Sequence, residues 1–109
     1  MAAIKTKDSF KQEFASILSY SLTEFGESTL MRFNKEYDKI QKRLSKHPLS
    51  SPREPLLRIY FRPYRYSIIM KNWKIIYRYD EPNDQVIFID IWDMRMSDKR
   101  LLQQFKRKM

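Results

Sequence analysis

The stretch Tyr64 to Arg95, YRYSIIMKNWKIIYRYDEPNDQVIFIDIWDMR, alternates side-chain character in three runs, broken at Lys71-Asn72 and at Asp80–Asp84. Period-two alternation rich in β-branched and aromatic residues, bounded by turn formers, is the pattern of an antiparallel meander. If Met70 and Trp73 flank a two-residue turn, Ile69 pairs with Lys74, Ser67 with Ile76 and Arg65 with Arg78. Successive strand residues point to opposite faces. Tyr66, Ile68, Met70, Trp73, Ile75, Tyr77 and Tyr79 then share one face, which reads as core. Arg65, Ser67, Ile69, Lys74, Ile76 and Arg78 share the other, which reads as a cationic working surface. A third strand, Gln85 to Trp92, delivers Arg95 just beyond its end.

The residues before this meander supply what covers it. Ala2 to Thr6 reads as a short edge strand. Asp8 or Ser9 is placed to cap a helix, because a short side-chain oxygen can accept from the unpaired first-turn amides. Phe10, Phe14, Ile17, Leu18, Leu22 and Phe25 form an apolar stripe at helical spacing, and Gly26 ends it. A left-handed position after a helix favours glycine. A second helix, from about Glu27 or Ser28 to Lys46, carries the narrow seam Leu30, Phe33, Tyr37, Ile40 and Leu44. Two helices joined at one glycine make an antiparallel hairpin whose seam needs a surface to cover. Pro48 to Pro55 is a loop, Leu56 to Phe61 reads as the first strand of the meander, and Ser97-Asp98 caps a final helix with Leu101, Leu102 and Phe105 on one side. The expected fold is therefore α+β: an N-terminal helical hairpin on a small, mostly antiparallel sheet, with a short C-terminal helix, in one domain spanning residues 1–109.

Charge is concentrated rather than spread. Of the formal net charge of +9, much lies between Arg53 and Arg78, with seven basic residues and one acid. Arg95 to Met109 holds six basic residues against Asp98. A polyanion or an acidic protein is the expected partner. One glycine in the chain rules out a phosphate-cradling loop. One histidine and no cysteine disfavour the common zinc sites, so neither metal nor cofactor is expected. His47 sits at a helix end, where its charged form suits the macrodipole. No apolar run has the length of a membrane span, no signal peptide opens the chain, and no small-molecule substrate site suggests itself. The cytoplasm is the default location.

The order of these elements, with Phe25-Gly26 followed by Phe33, then YRYSIIMKNWKIIYR, then Val86-Ile87-Phe88-Ile89 running into Asp93-Met94-Arg95, resembles the RelE/ParE superfamily of toxin–antitoxin toxins. The resemblance covers nearly the whole chain. It implies a small basic toxin neutralised by a cognate antitoxin, in a plasmid-stabilisation type of module. The superfamily contains two activities. RelE-like members cut messenger RNA on the ribosome by attack of a 2′-hydroxyl on the adjacent phosphate, chemistry that needs cations at the phosphorane and a group to move protons. ParE-like members act on DNA gyrase by protein–protein contact.

Carried over by position, the resemblance puts Arg65 where the nuclease branch has a strand lysine, Lys74 at its phosphate-binding arginine, and Arg95 at a second arginine. Ser67 falls where a second lysine would be, and Leu101 where the catalytic tyrosine would be. A leucine moves no proton, so Tyr60 or Tyr64 would have to substitute. These departures favour the ParE-like branch and gyrase; the alternative is a ribosome-dependent, metal-independent endoribonuclease. A plain nucleic-acid-binding module fits the charge but matches no known motif. Arg65, Lys74, Arg78 and Arg95 are the candidates for target or RNA contact, with Lys74 and Arg95 expected to face solvent or a cleft. Against this stand structural readings. Arg65 and Arg78 would lie opposite each other and need an anion such as Asp90, Lys74 would be a solvated edge charge, and Trp73 and Trp92 would be packing. The Lys106-Arg107-Lys108 tail would be a solvated end.

Overall fold

The computed structural model describes residues 1–107. Its elements follow the order β1 (Ala3–Thr6), α1 (Asp8–Phe25), α2 (Glu27–Lys46), β2 (Arg65–Ile69), β3 (Trp73–Asp80), β4 (Gln85–Asp93) and α3 (Asp98–Arg107), with one 3-10 turn at Pro55–Leu57. The four strands form one sheet in the order β1-β4-β3-β2. β1 runs parallel to β4, and the other pairs are antiparallel. This is the expected α+β arrangement of a helical hairpin on a mostly antiparallel sheet.

β3 and β4 are buried on both faces. On one side Ile69, Trp73, Ile75, Tyr77, Val86, Phe88 and Ile91 pack under Phe10 of α1 and Phe33, Ile40 and Leu44 of α2. The α2 seam is thereby used, whereas the α1 stripe is covered only from Phe10 to Leu18, and Leu22 and Phe25 are exposed. On the other side Ile76, Ile89 and Trp92 pack against Leu57, Leu101 and Phe105, with Tyr60, Tyr64 and Tyr66 closing the margin. The face read from sequence as a cationic working surface is thus largely a second core, covered by α3 and the 3-10 turn.

The difference begins at one turn. β2 pairs with β3 as Ile69↔Trp73, Ser67↔Ile75 and Arg65↔Tyr77, one residue away from the expected register. The connection is the three-residue Met70-Lys71-Asn72, with Met70 at φ 54 and Lys71 at φ 66, instead of a two-residue Lys71-Asn72 turn. A one-residue slip moves every side chain of a strand to the other face. The observed register brings fully buried Ile69 beside Trp73 in the hairpin core and sends Tyr66 to the second core. The expected register would instead have set Ile69 against Lys74.

A β-bulge makes the second difference. Ile76 pairs with Asp90 and Tyr77 with Phe88, which leaves Ile89 as an extra residue. Asp90 and Trp92 therefore lie on the α3 face, not with Val86 and Phe88. Ser9, expected as a helix cap, donates its hydroxyl to the Ile89 carbonyl at 2.8 Å, and Lys7 takes the N-cap position without a side-chain bond. Leu56 to Phe61 is not a strand. Glu54 accepts from the Leu56 amide at 3.0 Å and Pro55 opens the 3-10 turn, so a cap and a fixed proline φ win over a short alternation. In α3, Ser97 Oγ accepts from the Arg100 amide at 3.3 Å, as a capping serine should. Lys108, part of the expected basic tail, lies outside the described residues.

Gly26 joins α1 to α2 at φ 84, ψ −177, and its amide donates to the Leu22 carbonyl at 3.1 Å. That backbone region is essentially glycine-only, and nothing lies within 4 Å of where a Cβ would stand. The expected effect of Gly26→Ala is therefore pure backbone strain, a loss of about 1–3 kcal/mol in urea unfolding with an unchanged m-value. A loss below a few tenths would show that the helix junction relaxes.

Candidate functional site

Four cations were candidates, and the fold separates them. Lys74 lies on the α3 face of β3, with its ammonium 4.7 Å from the Tyr66 ring centroid and 5.6 Å from that of Trp92. It forms an ion pair with the Glu54 carboxylate, and the two side chains are only 14% and 1% exposed. Lys74 is thus neither a solvated edge charge nor open to a cleft. It ties the 52–57 segment to the sheet.

Arg65 lies on the opposite face, because its cross-strand partner is Tyr77. Its Nη1 donates to the Ser51 carbonyl at 2.7 Å. It does not oppose Arg78, so the like-charge pair inferred from sequence does not form. Asp90 accepts from its own strand's Ile91 amide, from Trp92 Nε1 at 3.1 Å and from Gln104 Nε2 at 3.0 Å.

Arg95 follows β4 and is 56% exposed on its side chain. It forms a two-point pair with Asp93, Nε to Oδ1 and Nη2 to Oδ2 both at 3.0 Å, and its guanidinium carbon lies 5.7 Å from the Trp73 ring centroid. Asp93 Oδ1 also accepts the Arg95 amide at 2.9 Å. The side-chain bond from Arg95 is the main reason the Asp93 carboxyl is held below its ordinary range, with partial burial working against it. Arg95, Asp93, Trp73 and Met96 line a groove of about 430 Å³ closed on its far side by Ile17 and Tyr20 of α1.

Arg78 borders a different surface. It shares a groove of about 460 Å³ with Phe61, Arg62 and Tyr79. Here sequence reading missed the most exposed apolar residues of the loop, Ile59 at 80% and Phe61 at 102% exposure. Alternation within Leu56–Phe61 was visible, but it serves a turn: Tyr60 points inward, 5.4 Å from the Phe105 ring and 6.2 Å from Tyr64, while its neighbours face out between Arg58 and Arg62.

The residues that would complete a nuclease site are committed to packing. Leu101 is buried in the second core. Ser67 is buried and accepts from Arg43 Nη2 at 2.7 Å. Among the described residues no cluster of three or more His, Cys, Asp or Glu side chains could hold a metal, and no helix is long and apolar enough to cross a membrane.

Comparison with known proteins agrees with this architecture. The family described as ParE toxin of type II toxin-antitoxin system, parDE, matches residues 4–98. The chain belongs to the ParE toxin family. Among solved structures, the chromosomal ParDE TA system from P. aeruginosa superposes with a TM-score of 0.67 over 87% of this chain and 98% of that one, at 10% identity. That degree of identity speaks for the fold. No curated protein matches the sequence significantly. A ParE toxin belongs to a toxin–antitoxin module, which makes an antitoxin the implied partner.

Two measurements check the geometry. Removing one member of a buried ion pair leaves the other uncompensated and costs about 3–5 kcal/mol. Lys74→Met should therefore destabilise the protein by about 3 kcal/mol, and adding Glu54→Gln should recover part of that. A Lys74→Met protein with an unchanged urea midpoint would contradict the buried pair. For Asp93, whose folded pKa is depressed, the stabilising pair is fully present above the unfolded value and is lost as pH falls through the folded one. Carboxyl carbon shifts should place the Asp93 midpoint below the reference 3.8. In Arg95→Ala it should move upward.

Proposed function

We propose that this ParE-family protein arrests growth by binding a protein target, with DNA gyrase the favoured one, and that a cognate antitoxin neutralises it. The observation that carries the choice of a protein target is how its candidate cations are spent. Lys74 is paired with Glu54 and Arg95 with Asp93, while Arg65 lies across the sheet from Lys74. Stabilising a phosphorane requires preorganised cations aimed at one point, with a proton-transfer group beside them. Internal carboxylates already occupy two of the three, and buried Leu101 stands where a tyrosine would be needed. Tyr60 and Tyr64 pack on Phe105.

The exposed surface favours protein contact. Ile59 and Phe61 project between Arg58 and Arg62, with Arg78 adjacent. Aromatic and arginine side chains are the types enriched at the energetic centres of protein interfaces. Arg78 and Arg95 are accordingly the candidates retained for target contact.

The reading is tested by inducing the chain alone and together with the acidic open reading frame expected beside its gene. Growth should stop in the first case and resume in the second. Purified protein should inhibit gyrase supercoiling, Phe61→Ser should inhibit it at least several-fold less, and programmed ribosomes should show no codon-phased cleavage. Cleavage at substoichiometric protein with gyrase untouched would replace this reading with the ribosome-dependent nuclease. Unimpaired growth at good yield would remove the toxin reading itself.

A further inference from the structure

β3 outlasts its outer neighbour. β2 begins at Arg65, opposite Tyr77, while β3 continues to Asp80 with only β4 paired beside it. The outer edge of β2 is bridged by the chain itself: Arg53 stands opposite Arg65, the Glu54 amide donates to the Tyr64 carbonyl at 2.9 Å and the Tyr66 amide to the Pro52 carbonyl at 3.1 Å. Tyr64 and Tyr66 thus direct their main chain outward, and Arg65 directs its own inward at Tyr77. In an antiparallel ladder this direction repeats at every second residue. Tyr79 therefore turns its amide and carbonyl to the same side as Tyr77, where β2 no longer runs. β4 agrees, because its Asp84 and Phe88 carbonyls accept from Ala3 and Lys7 on the β1 side. Val86, opposite Tyr79, likewise faces β1. Pro63, which would meet Tyr79 if β2 were longer, has no amide to donate.

This open edge borders the groove of about 460 Å³ that Phe61, Arg62 and Pro63 share with the end of β3. An unpaired strand edge is a template for another chain, and the charges here say which chain fits. The edge reads Arg78-Tyr79-Asp80, with opposite charges two residues apart on one face. Neither has an ion-pair partner among the described residues. Asp80 Oδ2 accepts from Asn83 at 2.8 Å, which leaves Oδ1 for another donor. A polyanion or an acidic segment laid here would meet Asp80 and Glu81 as well as the arginines, and like charges at a contact are costly. A strand of the same mixed order meets no such conflict. Antiparallel about Tyr79, each Arg78 stands opposite the other strand's Asp80.

We propose that this edge pairs with the same edge of a second copy of the chain, β3 against β3, antiparallel about a two-fold axis at Tyr79. The two Tyr79 residues exchange both main-chain hydrogen bonds, and each Arg78 meets the other copy's Asp80 in a cross-strand ion pair. Past Asp80, the Glu81-Pro82 turn of one copy crosses the Phe61–Pro63 wall of the other and carries Glu81 toward Arg62. Pro82 ends the ladder, because a proline donates no bond to it. The contact is isologous and closes at two copies. So small an interface is weak, and association depends on concentration. That pairing withdraws Arg78 and Phe61 from target contact rests on the function proposed above; the pairing itself does not.

The test is sedimentation equilibrium of the full chain up to about 1 mM, where a monomer–dimer equilibrium should appear. R78D and D80R should each weaken it on the order of tenfold, since each sets like charges opposite one another twice per dimer. The double variant R78D/D80R should recover most of that loss, because opposite charges face each other again. Recovery belongs to this register alone, and a folding defect in either single variant would not produce it. The chain has no cysteine, so Y79C carries a single thiol. Its Cα should lie about 5.5 Å from its counterpart across the axis, within the span of a disulfide. Mild oxidation should therefore crosslink Y79C much faster than K42C, whose site is exposed on α2. A chain that stays monomeric, a double variant no better than the singles, or equal crosslinking of Y79C and K42C would overturn the proposal. So would Arg78-dependent binding of single-stranded DNA by a monomer, which would give the edge to a nucleic acid. Neither gyrase nor antitoxin enters these measurements, so failure of the pairing and failure of the toxin reading give different results.

Discussion

The extra residue in β4, Ile89, stands opposite the Ile76–Tyr77 junction and reverses which face each later side chain of that strand reaches. Without it, strict alternation would place the Asp90 carboxylate on the face of Phe88, among Phe10 and Tyr37. Burying a carboxylate there without donors would cost several kcal/mol. With the bulge, Asp90 meets the Trp92 indole and Gln104, and Trp92 lies edge-on to Phe105 at 6.2 Å. The same bulge frees the Ile89 carbonyl to hold Ser9 at the start of α1. One insertion thus anchors α1 on one side of the sheet and α3 on the other. Bulges recur where a strand must re-aim its side chains.

The electrostatics follow from the double burial of β3. A cation on a strand covered on both faces has to be paired or hydrogen-bonded, and Lys74 is held by Glu54 between two aromatic rings. The outcome is a protein of high net charge whose central cations are locally neutral. Cations without a carboxylate in ion-pair distance include Arg58, Arg62 and Arg78 beside the Phe61 loop and Arg43 and Arg65 beside the outer strand. Charge in such places steers an acidic partner at long range more than it stabilises a transition state at one point.

The helical hairpin, the three long strands and α3 were legible because each rests on a local signal: the Phe33–Leu44 seam, the alternation of WKIIYRYD, the Ser97 cap. The faces were harder to read. Alternation in YRYSII is satisfied by either register, since Tyr66 and Ile69 are both suited to burial, and the choice falls to a turn of two residues at positive φ, neither of them glycine. Nothing in VIFIDIW marks Ile89 over its neighbours as the bulge. Site residues inherited these errors. Arg65 and Lys74 are two charges whose meaning depends on which side of the sheet each lies, and that is a non-local property. Arg43 offered no signal, being one of many cations on an exposed helix surface. Its role in the fold appears only when α2 delivers it to Ser51 and Ser67.

The buried pair also bears on the exposed loop. Glu54 holds Lys74 with one carboxylate oxygen and caps the Leu56 amide with the other. That cap fixes the 3-10 turn, the turn buries Leu57, and Tyr60 then packs against Phe105. Only with those inward anchors in place do Ile59 and Phe61 point out of the protein together. Ordering a loop before binding removes an entropic cost that the partner would otherwise have to overcome. Lys74 accordingly shapes that loop from a distance: its charge positions Glu54, Glu54 positions the turn, and the turn holds the apolar tip in place. A cation read as a contact residue in the sequence is, in the fold, a buried charge that positions a loop.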